Sequence, residues 1–322
     1  MNRKERYEEF CTKEYVQIYS QPWWLDVVCG SENWDVWLYE SGGRIDAAMP
    51  YYMEQRGAYR YITKAPCTQT NGIVFARNKN ARMVTIAQAE DKIIQEACKY
   101  IKSLELDVYE QQYPYTFTNW QPFYWNNYTC IVRYTYVVDQ VGKPEDIMRR
   151  MTATYRNALR KGLKLVQVSE DLSKEEFYLC NNKVFEKQGK KNPLDQQLWY
   201  RIYDSCEAHN CGKIVCAKDE AGNGHAIAYY VWDDESIYLL FGGYMPEYSS
   251  TQAYPVLIYH GMCMAGERGL RFDFEGSMIR QVARAMREYG GTPMPYYRIR
   301  KVFNPQIVRQ EAEQYIRRLE DE

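Results

Sequence analysis

The sequence lacks a net charge of either sign, because 41 Lys and Arg residues stand against 42 Asp and Glu residues, which leaves −1 over 322 residues. A chain without a net positive field has no general attraction for nucleic acid or for an anionic membrane. It also lacks any apolar run of the roughly 18 residues that would span a bilayer. The first residues have no apolar core, so we expect no signal peptide and a cytoplasmic protein.

The ten cysteines are spread along the chain, and no two of them form a CxxC pair. The tightest group consists of Cys206, His209, Cys211 and Cys216. It joins the end of an expected helix to an expected strand, and zinc sites usually pair ligands about two to four residues apart. Packed thiols are therefore favoured over a metal, and no metal or tightly bound cofactor is predicted. Without an export signal the thiols are expected to stay reduced.

Tyrosine is what the sequence has in excess, with 31 Tyr against 10 Phe and 8 Trp. A tyrosine buries a ring but keeps one hydroxyl to satisfy, which suits interfaces and wet clefts. Apolar residues make up 46% of the chain and charged residues 26%, as in ordinary globular proteins. At about 150 residues per domain, the length predicts two domains.

Residues 1–142 are predicted to be rich in strands. Residues 44–53 have strand character, and Pro50 near their middle predicts a sheet edge or a bulge. Residues 79–103 have helical spacing, and the positions expected to face inward are Met83, Ile86, Ile93, Ile94, Ala97 and Ile101. A boundary is predicted near Gly142, where residues 141–144 interrupt a strand and Pro144 opens a helix.

Residues 143–302 alternate helices and strands, which predicts an α/β (α+β) domain with a mixed sheet. Residues 303–322 are predicted to form a charged helical tail. Within the second domain we expect a strand at 236–242, a helix at 253–268, a strand at 271–275, a helix at 278–288 and a last strand at 294–302.

Six basic residues and no acidic one occur between residues 149 and 164. On one continuous helix, Arg149, Arg156 and Arg160 would share a face. Such a face would contact the phosphates of tRNA or of a nucleotide-linked sugar. The alternative is an ordinary solvated helix face.

Asp273 and Glu275 alternate along the strand expected at 271–275, so both side chains are predicted to point to one face. Two carboxylates at a strand end are candidates for binding an amine or for general base catalysis. Glu275 is nearer the end of the strand and is the preferred base. A structural pair bonded to backbone or to Arg271 is the alternative.

The stretch 270–301 contains an aromatic-Asp-Phe strand, a small-residue turn, a helix ending in aromatic-Gly, and a last strand. The residues concerned are Phe272-Asp273-Phe274, Gly276-Ser277, Tyr289-Gly290 and 296–301. This order resembles the end of the acyltransferase domain of FemAB-like proteins (methicillin-resistance-protein-like), which belong to the GCN5-related N-acetyltransferase (GNAT) superfamily. Residues 239–244 with the helix after them, and residues 20–77, are similar to earlier parts of that family. The resemblance implies two GNAT-like domains, each a mixed, mostly antiparallel twisted sheet flanked by helices, with the substrate in the cleft between them.

The resemblance also implies that strand 236–243 splays from its neighbour and that its backbone N–H groups bind the acyl carbonyl, with close approach at Gly242 and Gly243. The expected loop before the next helix contributes Ser249 and Ser250. Around the cleft it implies a group of tyrosines, namely Tyr244, Tyr254, Tyr296 and Tyr297. Tyr244 joins Glu275 and Asp273 as a catalytic candidate. The implied donor substrate is acyl-CoA or aminoacyl-tRNA.

Two departures from the family pattern matter. Loop 244–255 contains no glycine to cradle a CoA pyrophosphate, and Ala285 and Met286 stand where peptidoglycan-bridging relatives carry a Phe-Lys pair. Arg284 or Arg287 is the candidate replacement for that cation. The sequence therefore predicts an N-acyltransferase acting on a small-molecule or peptide amine, with tRNA as a further candidate partner. The alternatives are a peptidoglycan interpeptide-bridge aminoacyltransferase, a non-catalytic binding protein with the tandem fold and, most weakly, a nucleic-acid-binding protein.

Overall fold

The structure is a computed structural model that describes residues 1–77, 81–186 and 189–321. Over these residues the helices are α1 (Arg3–Lys13), α2 (Pro22–Cys29), α3 (Met83–Ser103), α4 (Gln121–Trp125), α5 (Pro144–Arg150), α6 (Ala153–Gly162), α7 (Lys174–Glu186), α8 (Gln196–Ala208), α9 (Ala253–Arg268), α10 (Arg280–Glu288) and α11 (Pro305–Asp321). The strands are β1 (Trp34–Ser41), β2 (Arg44–Arg56), β3 (Tyr59–Thr63), β4 (Val74–Phe75), β5 (Val108–Tyr113), β6 (Thr129–Val138), β7 (Gln167–Ser169), β8 (Gly212–Lys218), β9 (Gly224–Trp232), β10 (Ser236–Tyr244), β11 (Arg271–Asp273) and β12 (Thr292–Val302). Short 3-10 helices occupy Ile18–Ser20 and Pro246–Thr251.

The chain forms two compact units, one of residues 1–133 with 296–322 and one of residues 134–295. Strands β6 and β12 each begin in one unit and end in the other. The sequence predicted domain limits at residues 142 and 302, which differ from the limits of these units. Those domain limits stay predictions. Among the described residues no helix is long and apolar enough to cross a membrane.

The first unit has a mixed sheet in which most neighbouring strands are antiparallel. Strand β2 pairs antiparallel with β1, β3 and β4, while β5 runs parallel to β3 and antiparallel to β12. Helix α3 packs its second half into the core of this unit through residues that the sequence predicted to face inward, Ile93, Ile94, Ala97 and Ile101. Met83 at the start of the helix is exposed, and this part of the prediction is wrong.

The expectation of an edge or a bulge at Pro50 is met only locally, because β2 is not an edge strand but has a ladder partner on one side alone at this residue. Pro50 pairs with Val36 in the middle of β2, which lies between two neighbours. On its other side β2 pairs with β4 at Ala47 and Ala48 and with β3 from Tyr52 onward. The proline sits in the gap between these two partners, where its missing N–H costs no ladder bond.

The second unit has the sheet order β6-β11-β10-β9-β8-β7. Only the pair β10 and β11 is parallel, because helix α9 connects these two strands. Helices α5, α6, α9 and α10 contribute to one apolar core. Helices α7 and α8 pack elsewhere, where Phe177 and Trp199 contact the ring of Tyr229. The mixed, mostly antiparallel α/β class predicted from the sequence is confirmed in both units.

Candidate active site

Strand β10 runs on well beyond the end of its parallel neighbour. Its pairing with β11 covers three positions, Ser236↔Arg271 to Tyr238↔Asp273. Strand β10 then continues to Tyr244 while β11 has ended. We call the β11 side of residues 239–243 the open edge. Within the described part of the chain, these residues have ladder partners only on β9, so alternate backbone N–H and C=O groups face the open edge.

Two local features separate the strands. The register of β10 against β9 shifts between Leu239 and Phe241, which leaves Leu240 as a bulge two residues after Tyr238, the last residue paired with β11. A bulge bends its strand and increases the local twist. On the other side, the N–H of Phe274 donates to the carbonyl of Tyr136 at 3.0 Å, so the chain after β11 follows β6 instead of β10.

Asp273 is buried at the point where the strands part, with 2% of its surface exposed. Its Oδ1 accepts hydrogen bonds from the hydroxyl of Thr135 and from the N–H of Glu275, the latter at 2.8 Å. Burial raises the pKa of Asp273 to about 6, although these two donors act in the opposite direction. The Asp273 carboxyl therefore stabilises the turn that follows β11 through its hydrogen bond with the N–H of Glu275.

Glu275 does not continue the strand, so the predicted alternation of two carboxylates on one sheet face is wrong. Strand β11 ends at Asp273, and Glu275 has a left-handed backbone with φ +65°. A non-glycine residue in this region is strained, and such strain clusters at functional sites. The side chain is half-buried, and burial raises the pKa of its carboxyl well above the usual range. Glu275 thus differs from Asp273 in position and in exposure.

The turn continues through Gly276, which has φ +70°. A Cβ at this position would overlap the carbonyl oxygen of Tyr134 and lie 2.6 Å from the Cα of Thr135. Only glycine allows this close approach to β6. The small-residue turn seen in the sequence therefore fixes the path along which the chain after β11 turns away from β10.

Gly242 and Gly243 belong to β10 and present opposite sides of the sheet. A Cβ at Gly242 would lie 3.2 Å from the Tyr254 hydroxyl oxygen, at the start of α9. A Cβ at Gly243 would lie 2.6 Å from a methyl group of Val184 in α7. Tyr254 is half-buried and burial raises its pKa, which keeps the hydroxyl protonated as a donor. Tyr244 at the end of β10 is exposed.

Ser249 and Ser250 lie exposed in the 3-10 helix that leads into α9. The ammonium group of Lys161 donates to the carbonyl oxygen of Ser250 at 2.9 Å, which fixes this turn to the end of α6. The N-cap residue of α9 is Gln252, whose side chain makes no capping bond. The first turn of α9 contains Pro255, so one of the backbone donors that helix starts offer to anions is missing.

The predicted basic face of one helix is not formed. Met151 and Thr152 have extended ψ angles of 148° and 160°, and they divide the segment into α5 and α6. Arg149 lies in α5 and is ion-paired with Asp146. Arg156 lies in α6 and donates to the carbonyl of Met151 at 2.6 Å. The break changes the helical phase, so the spacing in sequence no longer places these guanidinium groups together.

Arg160 is exposed in α6, and its nearest bonded partner is Asn157 at 3.4 Å. Its neighbour Lys161 holds the turn before α9. Of the predicted basic residues, those at the end of α6 are therefore the ones that lie near the candidate donor loop. The sequence offered no signal for the break, because neither Met151 nor Thr152 is a strong helix breaker.

Tyr296 and Tyr297 belong to the first unit. Tyr296 is buried, and its hydroxyl accepts a hydrogen bond from Arg133 at 3.3 Å. Tyr297 pairs with Tyr113 in the β5–β12 ladder and packs against the ring of Trp120. These are packing and hydrogen-bond contacts within the first unit. The predicted role of the two tyrosines at the substrate cleft stays a prediction.

Helix α10 follows the Gly276 turn, and here the sequence reasoning missed three side chains. Met278, Ile279 and Val282 are exposed by 55%, 61% and 39%, although all are apolar. Ala285 and Met286, further along the helix, pack against the core of the second unit. Arg284 is paired with Glu288 at 2.7 Å. The apolar residues after Gly276-Ser277 were the available sequence signal for this exposed apolar surface.

Strands β10 and β11 are joined by α9, run parallel over three positions and then part, and the turn after β11 lies against β6. Residues 149–292 match the family described as acetyltransferase (GNAT) domain. The structure of FemX is similar over 92% of this chain and 96% of FemX, with a TM-score of 0.68 and 12% identity.

Two further solved structures resemble the chain. L-PGS from Bacillus licheniformis covers 93% of this chain and 92% of its own, with a TM-score of 0.55 and 12% identity. A conserved protein of unknown function from Bacteroides thetaiotaomicron covers 93% and 97%, with a TM-score of 0.55 and 9% identity. No curated protein sequence matches the chain. Residues 149–292 therefore have the fold of a GNAT acetyltransferase domain, and most of the chain shares the fold of FemX, so the resemblance to FemAB-like proteins is confirmed at the level of the fold.

Proposed function

We propose that this protein is an N-acyltransferase that moves an acyl or aminoacyl group from a thioester or an aminoacyl-tRNA to an amine. The observation that carries the proposal is the open edge of β10 at residues 239–243. Backbone N–H groups fixed along such an edge stabilise the negative charge that develops on the donor carbonyl oxygen when an amine attacks. Both donors are cytoplasmic molecules, so the cytoplasm is the proposed location.

In this proposal Glu275 accepts the proton that the attacking amine loses. Its half-buried position beside the turn supports the role, and Asp273 supports it indirectly by holding the Glu275 N–H. Because burial raises the pKa of Glu275, the base is ionised only at higher pH than an ordinary glutamate. The rate of transfer should therefore rise with pH until Glu275 is deprotonated.

The tyrosines near the open edge supply the complementary proton. Tyr254 is proposed to donate to the leaving group, because its hydroxyl stays protonated and lies next to Gly242. Tyr244 is a second candidate donor, since it is exposed at the end of the same strand. Acid and base then come from different elements, α9 and the turn after β11, so that each is positioned independently.

The donor is proposed to lie along Ser249, Ser250 and the start of α9, with Lys161 and Arg160 nearby. The lack of glycine in this loop and the proline in the first turn of α9 weaken a CoA pyrophosphate cradle. They leave aminoacyl-tRNA as the donor to test beside acyl-CoA. The amine acceptor is a small molecule or a peptide, and Met278, Ile279 and Val282 offer it an apolar contact.

The experiment supplies the full chain with labelled acetyl-CoA or with labelled aminoacyl-tRNA, in the presence of a panel of small-molecule and peptide amines. We expect transfer from one donor, with a rate that rises with pH. Glu275→Gln should lower kcat/KM by about 100-fold or more and remove the pH-dependent rise. Glu220→Gln, at an exposed turn between β8 and β9, is the matched control and should change neither.

Absence of transfer from either donor, by a protein shown to be folded, would overturn the proposal. Transfer that is unaffected in Glu275→Gln would leave the acyltransferase but remove Glu275 as the base. The two outcomes are separable because the first concerns the wild-type chain and the second the variant.

A second candidate function is a binding protein that keeps the tandem fold without catalysis. The specific observation in its favour is that Ala285 and Met286 pack against the core, where peptidoglycan-bridging relatives carry a Phe-Lys pair. Arg284 is occupied by Glu288. The same observation weighs against a peptidoglycan interpeptide-bridge enzyme proper. Amine or tRNA binding without transfer would favour this candidate.

A further inference from the structure

Helix α11 presents an apolar stripe that the described part of the chain leaves uncovered. Four of its apolar side chains are half or more exposed, namely Val308 (50%), Tyr315 (63%), Ile316 (54%) and Leu319 (54%). Every residue from 311 to 320 is exposed. Exposed apolar side chains gathered on one helix mark an interaction surface more often than scattered ones do.

The helix is fixed only at its beginning. Ile307 is buried, and Asn304 just before the helix donates to Asp107 at 2.6 Å. Glu311 is ion-paired with Arg300 of β12. The first two turns are therefore held by the first unit, whereas the later turns project from it and carry most of the stripe.

The spacing of the stripe is that of a coiled-coil seam. Val308, Ala312, Tyr315 and Leu319 follow one another at intervals of four, three and four residues. A seam of this kind buries itself against another helix, and a second copy of the chain offers an identical seam. Two-fold association of identical surfaces closes at a dimer.

We propose that two copies of the chain associate through α11 in an antiparallel helix pair. In this arrangement Val308 meets the partner's Leu319, and Ala312 meets the partner's Tyr315. A small residue then faces a large one in the central layers, as close packing requires. A parallel pair would place alanine against alanine and tyrosine against tyrosine, which leaves one gap and one overcrowded layer.

The charges beside the seam fit the same orientation. Glu311 and Arg318 flank the stripe on one side, and in the antiparallel pair each Glu311 lies beside the partner's Arg318. The Arg318 side chain is exposed, so it can reach a partner helix. Glu311 already accepts from Arg300, but a carboxylate has room for a further donor. The two ion pairs favour the antiparallel register without being the main source of affinity.

The interface is short, so the dimer is expected to be weak. A stable interface usually buries at least about 1,200 Å² in total, and a seam of four layers falls below this area. The proposal is independent of the acyltransferase function, because α11 belongs to the first unit and the open edge to the second.

The test is sedimentation velocity on the full chain at rising concentration. We expect the mass to rise from that of the 38.3 kDa monomer towards that of a dimer. Leu319→Glu should abolish the rise, and Arg318→Glu should weaken association by about fivefold. Gln310→Glu, on the side of α11 away from the seam, should change nothing. A monomer at every concentration, or association that survives Leu319→Glu, would overturn the proposal.

Cross-linking distinguishes the two orientations. Val308 and Leu319 lie eleven residues apart, so about 16 Å along the helix separates two copies of the same position in an antiparallel pair. A mixture of Val308→Cys and Leu319→Cys proteins should therefore cross-link between chains, while each protein alone should not. Wild-type chain treated in the same way sets the background from the ten native cysteines. Self-cross-linking of either single variant would indicate a parallel pair and contradict the proposal.

Discussion

Both units contain a hairpin followed by a helix and a parallel strand, yet among the described residues only the second unit leaves the edge beyond that parallel pairing open. In the first unit the β2–β3 hairpin is followed by the short strand β4, by α3 and by β5, which runs parallel to β3. In the second unit the β9–β10 hairpin is followed by α9 and by β11, which runs parallel to β10. Both parallel pairings are short, covering two positions in the first unit and three in the second. The units differ in the chain segments that lie beyond each pairing.

In the first unit the chain fills its own gap. After β3, the N–H of Asn71 donates to the carbonyl of Gln112 in β5 at 2.6 Å. The Gln112 side chain donates to the carbonyl of Gln69 at 2.7 Å, and Gly72 lies against the ring of Tyr113. The hydroxyls of Tyr109 and Tyr113 are bonded to each other at 2.6 Å in the core. This gap is closed by backbone bonds and buried tyrosines.

In the second unit no described segment fills the corresponding gap. The bulge at Leu240 carries β10 away, and the Asp273 carboxyl holds the turn at Glu275 and Gly276 on the other side. The same crossover of strand, helix and parallel strand thus gives a packed core in one unit and an open edge in the other. The proposed chemistry therefore belongs to the second unit, whereas the corresponding part of the first unit is packed.

The largest expected effect on stability comes from adding a Cβ to the turn at Gly276, which directs the chain away from the open edge. Gly276→Ala would place a Cβ against the Tyr134 carbonyl in a backbone that only glycine adopts easily. We expect the free energy of unfolding to fall by about 3–5 kcal/mol, as measured by urea denaturation. Gly222→Ala also has a left-handed backbone, with φ +84°, but open space around it. This control should cost only about 1 kcal/mol. If both variants lost the same unfolding free energy, the turn at Gly276 would not be packed tightly against β6.

A smaller effect concerns the buried carboxyl. The native pKa of Asp273 is raised to about 6, so the native state favours the protonated form. The stability that this carboxyl contributes is present below its unfolded pKa and is lost as pH rises through about 6. An asparagine accepts the same hydrogen bonds without a charge. Between pH 4 and pH 7, the unfolding free energy of Asp273→Asn should therefore gain up to about 3 kcal/mol relative to wild type.

The control for this prediction has the opposite sign. The pKa of Asp219 is lowered, chiefly by the hydrogen bond from the Asn223 side chain and also by the backbone N–H of Asn223. Its contribution to stability is present above its unfolded pKa and is lost as pH falls. Asp219→Asn should therefore lose stability relative to wild type as pH rises. Denaturation at several pH values measures both variants, and a pH-independent difference for Asp273→Asn would contradict the raised pKa.

What the sequence predicts well here is local periodicity. The buried stripe of α3 follows from the positions of Ile93, Ile94, Ala97 and Ile101, because helical spacing and burial act on the same side chains. The aromatic-Asp-Phe strand and the small-residue turn also lie where their motifs place them. At the site, the sequence indicated Asp273, Gly242 and Tyr254 as candidate positions.

What the sequence misses depends on partners that are far away along the chain. The strand expected at 271–275 stops at Asp273 because Phe274 bonds to Tyr136, a residue that no local pattern connects to it. The edge predicted at Pro50 is only a local gap in a central strand, because β3 and β4 share one side of β2 and leave Pro50 unpaired there. The helix break at Met151 follows from packing, since neither it nor Thr152 has a strong local preference against helix. Register and pairing of this kind are tertiary properties.

The smallest expected effect tests the comparison most directly, because it uses the same substitution in both units. Tyr254→Phe removes the hydroxyl beside Gly242 on the open edge and should lower kcat about tenfold, with little change in KM or in unfolding free energy. Tyr113→Phe removes one partner of the buried Tyr109 hydroxyl and should lower the unfolding free energy by about 1–2 kcal/mol with no change in kcat. Tyr259→Phe, on the same helix as Tyr254, is the control for the rate measurement. If Tyr254→Phe loses stability and keeps its rate, the second unit uses its tyrosine as the first one does, and the division between a packed unit and a catalytic one is wrong.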